Sequence, residues 1–271
     1  MIVREDKMKP NFTATKLKYL AIILMVCDHI HQMFFEFGAP AWLSMLGRLV
    51  FPILLFLFAD SVHYTRSRKK LMTRLLLMSW FMSMGNFLVG NLFDNGQVVL
   101  SNNAFSTFFV VALLDCGWDR IVTALKEKSI LTFCKGLGFI LLPVLLTLPV
   151  LIFGTLLGGE GDISPVLSQI IAMLMLLVPN LLTIEGGMVM VLLGLFLYIF
   201  REQRILQFLS ILAVSFIVFY TNPSNIQWMM VFSILPLSLY NGEKGRGDKH
   251  FFYIFYPTHI YLLYILASFL A

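Results

Sequence analysis

Asp28 and His29 stand side by side in LMVCDHIHQMFF (24–35), a run whose other residues are mostly those that dissolve in lipid. An imidazole with an ordinary pKa of ~6.5 can take and return a proton near neutral pH. An ionisable group in the middle of a membrane helix costs about 2.5–3.5 kcal/mol, so it usually faces other protein, has a partner and marks function. The string D-H-x-H could suggest a metal site. At 100° per residue, however, His29 and His31 point about 200° apart, and zinc is not expected.

Arg48 is the natural partner of this group. It lies in WLSMLGRLVFPILLFLFADS (42–61), and a turn near Gly38 and Ala39 leaves His29 and Arg48 nearly equally far from the bend, at similar depth. A guanidinium cannot shed its charge. Asp28 is therefore expected as its counter-ion, since an unpaired buried ion costs several kcal/mol. The final apolar run, HFFYIFYPTHIYLLYILASFLA (250–271), carries His259 nine residues in, roughly 14 Å deep. Lys18 precedes His29 by eleven residues, close to three turns, so the two share a helix face about 16 Å apart. His31 and His63 read as packed, hydrogen-bonded residues.

The elements that position these groups follow from composition. The chain has 271 residues, 59% hydrophobic and 13% charged, with a mean hydropathy of +0.84. It reads as an all-α, polytopic integral membrane bundle of about ten helices, since ~20 apolar residues cross ~30 Å of hydrocarbon. A polar segment, 1–16, precedes a single bundle over 17–271. Spans are expected at 17–37, 42–63, 71–93, 103–125, 131–157, 186–200, 205–221, 226–240 and 251–270. The first run is too long and lacks the small-residue cleavage site of a signal peptide. Cys27, Cys116 and Cys134 form no disulfide or metal spacing.

Lysine and arginine collect before residue 18 and in TRSRKK (65–70), KEK (126–128), REQR (201–204) and NGEKGRGDK (241–249), whereas DNGQVVLSNN, GGEGDIS and TNPSN have none. The positive-inside rule makes the first group cytoplasmic, together with the N-terminus. That assignment holds throughout only if 165–184, broken by VPN, does not cross. The net charge of +5 is the mark of membrane orientation and does not point to nucleic acid.

LKYLAIILMVCDHIHQ (17–32), GRLVFPILLFLFAD (47–60), SNNAFSTFFVVAL (101–113), EGGMVMVLLGLFLYIFR (185–201) and FFYIFYPTHIYLLYIL (251–266) resemble the TraX-like family, the F-pilin N-acetylase family of transmembrane acyltransferases. The resemblance implies transfer of an acetyl group from cytoplasmic acetyl-CoA, across the bacterial cytoplasmic membrane, to an acceptor peptide, glycan or lipid-linked group. Carried over by position, it implies catalytic roles for Asp28, His29, Arg48 and His259, and a place for Asn103 or Asn102. Transfer from a thioester needs a base, a task suited to His29, and a positive contact for the developing oxyanion, from Arg48, His259 or an asparagine. Lys18 would meet the coenzyme's phosphates.

Two other classes use the same residues. A proton-coupled transporter also buries Asp, His and Arg, although no internal repeat is visible. A non-catalytic scaffold would use them only to join helices.

Overall fold

The computed structural model describes residues 12–94, 96–157, 164–247 and 249–271, so most of the N-terminal polar segment and of the GGEGDIS loop lies outside the described residues. Among these, every regular element is helical: α1 (Ala14–Phe34), α2 (Trp42–Gly47), α3 (Val50–His63), α4 (Arg68–Leu92), α5 (Ala104–Glu127), α6 (Ile130–Leu145), α7 (Thr147–Leu157), α8 (Pro165–Leu177), α9 (Gly187–Ile199), α10 (Arg204–Thr221), a 3-10 helix (Ile226–Ser233), α11 (Ile234–Ser238) and α12 (Lys249–Leu270). Joining the pairs α2–α3, α6–α7 and 3-10–α11, each interrupted by two residues or fewer, leaves ten helical segments.

Among the described residues five helices are long and apolar enough to cross a membrane: Trp42–His63, Arg68–Leu92, Ile130–Thr155, Arg204–Thr221 and Phe251–Leu270. α1 and α5 have the length, at 21 and 24 residues, but their ionisable residues lower their hydropathy. Asp28 and His29 lie on the first of these two helices.

Three expected spans differ from the structure. The run 226–240 is no continuous helix: eight residues of 3-10 followed by five of α reach only about 24 Å. The expected 131–157 span is present as Ile130–Thr155 but is interrupted at Leu146, between Pro143 and Pro149, because a proline nitrogen cannot continue the ladder. There Thr147 Oγ1 donates to Pro143 O (2.8 Å) and accepts from Leu181 N (3.2 Å). α9 has 13 residues, about 20 Å. α8 is equally short; its last turn is bound to α4 through Ser83 Oγ to Leu176 O (2.9 Å) and Trp80 Nε1 to Leu177 O (2.8 Å).

The chain divides into two compact units. One gathers both ends of the chain, up to Leu57 and from Gln203 onward; the other comprises Phe58–Glu202. In the first, α1 buries a stripe at i, i+4 spacing, Leu17, Ala21, Met25, His29 and Met33. α12 lies beside it in parallel: Tyr19 meets Phe251 and Phe252 near the start of both helices, and His29 meets His259 further along. Their N-terminal ends are tied together. Phe12 pairs with the backbone at Leu239 and Asn241, and Ala14 N donates to Glu243 O (2.8 Å). Thr15 Oγ1 donates to Lys244 O (2.9 Å). Gly245 (φ +71°) turns this strap, and a Cβ there would press on Thr13 Oγ1.

In the second unit α5 is the central helix, buried over Ala104–Thr107 and Val110–Gly117. Gly117 and Gly136 let α5 and α6 cross backbone to backbone, because a Cβ on either would meet the other's carbonyl at 2.9 Å. Asn103 caps α5 by accepting from Ser106 N, and its amide fastens α4 at Ser79 and Ser83.

Candidate active site

The site begins with the 100° between neighbouring helix positions. Asp28 and His29 face different partners, Asp28 toward α2 and His29 toward α12. Asp28 accepts from Arg48 Nη2 at 2.6 Å. Glycine at 47 makes this possible: a Cβ there would overlap Asp28 Cβ, Cγ and Oδ1. The string Gly47-Arg48 thus supplies clearance and then charge.

The guanidinium is held from three elements. Arg48 Nε donates to Ser44 O (3.0 Å), Nη2 donates also to Ser44 Oγ (3.1 Å), and Nη1 donates to Gln227 Oε1 of the 3-10 helix (3.2 Å). Four of the five N–H groups of an arginine are thereby engaged among the described residues, leaving one on Nη1. The pair is partly open, with side-chain exposures of 26% for Arg48 and 23% for Asp28.

His29 is buried, and its Nδ1 lies 2.7 Å from His259 Nε2. His259 Nδ1 lies 2.8 Å from the carbonyl oxygen of Phe255, one turn earlier on α12. The hydrogen-bond network assigns the tautomers. A carbonyl only accepts, so His259 carries its proton on Nδ1. With both rings neutral, its Nε2 accepts from His29 Nδ1–H, and the lone pair of His29 lies on Nε2. The His259 ring is steadied by stacking on Phe255 at 4.8 Å. Arg48 lies within electrostatic reach of His29.

The remaining expected residues have definite places. Lys18 is half-buried, with Nζ 5.4 Å from the centre of the Phe252 ring. It lies one turn after Thr15, where the strap brings in Lys244 and Arg246, and Lys244 acts on it electrostatically. Asn103 belongs to the second unit, where it caps α5, and Asn102 O accepts from Asn86 Nδ2 (2.9 Å). His31 Nδ1 donates to Ala39 O at 3.0 Å, closing the bend between α1 and α2. His63 Nδ1 accepts from Arg201 Nε at 3.2 Å. Among the described residues, no three His, Cys, Asp or Glu side chains gather as a metal would require.

Sequence reasoning missed three parts of this chemistry. Ser44 and Gln227 complete the clamp on Arg48; Ser44 lies one helical turn before it, a spacing that could have been read. A second polar cluster lies in the other unit, around Asp119 on α5. Asp119 Oδ2 accepts from Tyr198 Oη (2.6 Å) and from Arg68 Nη1, and Arg68 Nη2 donates to Tyr198 Oη (2.6 Å).

The sequence pattern of the TraX protein family matches residues 13–267. A probable fimbrial assembly protein, FimC of serogroup H1 from Dichelobacter nodosus, is 26% identical over 270 residues, covering 96% of this chain and 98% of its own length. No solved structure matches the fold. The match of the family's pattern spans both units and includes Asp28, His29, Arg48 and His259, and the chain belongs to the TraX protein family.

Proposed function

We propose that the chain is a membrane-embedded acyltransferase of the bacterial cytoplasmic membrane, with its N-terminus in the cytoplasm. It moves an acetyl group from cytoplasmic acetyl-CoA to an amine or hydroxyl at the outer face, a peptide or protein N-terminus among the acceptors. One observation carries this reading: the directed chain Phe255 O, His259, His29, which fixes the His29 imidazole within electrostatic reach of a clamped guanidinium. Family membership and the fimbrial relative's name agree with an acceptor at the cell exterior.

The residues present fit a phosphorylated thioester donor. Lys18, with Lys244 and Arg246 brought to the start of α1 by the strap, offers cations for phosphates. The eleven residues from Lys18 to His29 span about 16 Å, a distance that a phosphopantetheine arm can bridge. The bound thioester supplies an activated acetyl carbonyl.

His29 takes the acceptor's N–H or O–H proton at Nε2 as the new bond to the carbonyl carbon forms, a role that contributes about 10²- to 10⁴-fold in well-placed bases. The N–H left on Arg48 Nη1 meets the negative charge developing on the carbonyl oxygen. The carbon–sulfur bond then breaks, and the thiolate leaves to take up a proton. Asp28 and His259 are positioning residues: one holds the guanidinium, the other the tautomer.

The test is transfer of isotope-labelled acetyl from acetyl-CoA to peptides with a free N-terminus by the purified protein in liposomes. Wild type is expected to label the peptide, and His29→Gln, inserted to the same level, to lose at least about a hundredfold in rate. Unchanged transfer by His29→Gln removes the mechanism; absence of transfer to amine, hydroxyl and glycan acceptors alike removes the activity.

A further inference from the structure

The second unit holds an ionisable group that the acyl-transfer reading does not use. Asp115 lies near the middle of α5, is fully buried, and has no hydrogen-bond partner on either carboxyl oxygen. Asp119 follows by four residues, on the same face and about 6 Å along the axis.

The charges that act on Asp115 are Asp119 on its own helix, Arg68 from α4 and Arg201 just beyond α9. Both arginines are already committed. Arg68 donates to Asp119 and to Tyr198 Oη. Arg201 donates from Nε to His63 and from Nη1 to Tyr198 O (3.1 Å), pairs loosely with Glu202, and lies over the Tyr198 ring. On the other side of α5, Gly117 and Gly136 bring in the α6 backbone, and the one charged residue of α6, Lys135, is exposed. The neighbouring thiol of Cys116 is turned to Met72 Sδ on α4 (3.8 Å). Among the described residues no cation pairs directly with Asp115, and Arg120 on α5 is turned to Cys116 O and the Phe139 ring. A carboxylate without donors in a water-poor interior is costly enough that the neutral acid is the form that folds around.

We propose that Asp115 is a proton-binding site, loaded and unloaded through the Tyr198–Asp119–Arg68 cluster one turn away. The cluster is the route because Asp119 lies one turn along the same face of α5, and Asp119 and Arg68 both act on Asp115 electrostatically. It is also partly exposed, with side-chain exposures of 29% for Arg68 and 32% for Asp119. The ligand is a single proton, passed between the Asp115 carboxyl and solvent by way of the Tyr198 hydroxyl and the Asp119 carboxylate. The site stands apart from the acyl-transfer reading, and its test does not require a substrate.

The test is infrared difference spectroscopy on the full chain in lipid nanodiscs. A protonated-carboxyl C=O stretch present in wild type near neutral pH is expected to vanish in Asp115→Asn, which matches the neutral acid in shape and keeps the fold. On transfer to heavy water that band should shift down, and the shift should be slower in Tyr198→Phe, which keeps the ring and removes the hydroxyl. Circular dichroism on each variant separates misfolding from site loss. If no band is lost in folded Asp115→Asn, the carboxyl does not hold a proton and the proposal fails. An exchange rate unchanged in folded Tyr198→Phe overturns the route.

Discussion

His29 Nδ1 and His259 Nε2 are 2.7 Å apart, and the Phe255 carbonyl behind His259 gives that contact a direction. The replacement that tests it keeps an acceptor at 259. His259→Gln retains one and His259→Leu does not, at similar side-chain volume. Leu is expected to lower kcat about a hundredfold, while Gln stays within about tenfold of wild type and KM for acetyl-CoA changes little in either. Equal losses in the two variants would reduce His259 to a packing residue.

Arg48 is tied to α1, to α2 and to the 3-10 helix by a fork that lysine cannot reproduce. Arg48→Lys keeps the charge opposite Asp28 but loses the contacts to Ser44 O and Gln227. Because the ion pair is partly exposed, the expected loss of stability is modest, about 1–3 kcal/mol. Transfer activity should fall further than stability does, since the remaining N–H no longer has a fixed direction. Thermal unfolding in detergent and acetyl transfer, measured on the same preparation, separate the two effects. Full activity in Arg48→Lys would exclude a directed guanidinium contact.

Gly47 decides how closely α2 approaches α1. In Gly47→Ala the new methyl overlaps Asp28, so either the helices part or the carboxylate turns away from Arg48. Overpacking of this kind costs about 1–3 kcal/mol. The same substitution at Gly138, whose Cβ would meet nothing within 4 Å, should leave the melting temperature near that of wild type. A Gly47→Ala protein as stable and active as the Gly138→Ala control would contradict the close approach.

The first unit's site was legible to the extent that arithmetic along helices fixes it. The count from the bend at Gly38 put His29 and Arg48 at one depth, charge pairing then made Asp28 the partner of Arg48, and the depth of the last run brought His259 toward His29. Neighbouring positions on α1 diverge by 100°, so Asp28 and His29 take different partners. What could not be read depends on conformation away from regular helices. Gln227 lies in NIQW just after a prolyl loop, and only the tight 3-10 turn aims it at Arg48. The interruption at Leu146 and the 3-10 winding of Ile226–Ser233 were hidden because apolar runs look continuous whatever the backbone does within them. Asp115 and Asp119 are different: two acids at i, i+4 inside a 24-residue helix are a readable signal. Their weight comes from burial and from the absence of donors at Asp115, which sequence alone does not give.

The strap between Phe12–Thr15 and Leu239–Arg246 puts Lys16 and Lys18 at the same end of α1 as Lys244 and Arg246, while Ser224, just after α10, is exposed in the charge-free TNPSN turn. If the basic end is cytoplasmic, single cysteines at these places report opposite sides. Glu243→Cys removes only a surface contact to Asn241 (3.1 Å), and Ser224→Cys changes an exposed side chain. In a chain whose Cys27, Cys116 and Cys134 have been replaced by alanine, an impermeant thiol reagent should label Ser224→Cys in intact cells. Glu243→Cys should react only after the membrane is opened. Labelling of Glu243→Cys from outside would invert the orientation and put Lys18 on the side that lacks acetyl-CoA, ending the donor assignment while leaving the His29–His259 geometry as it is.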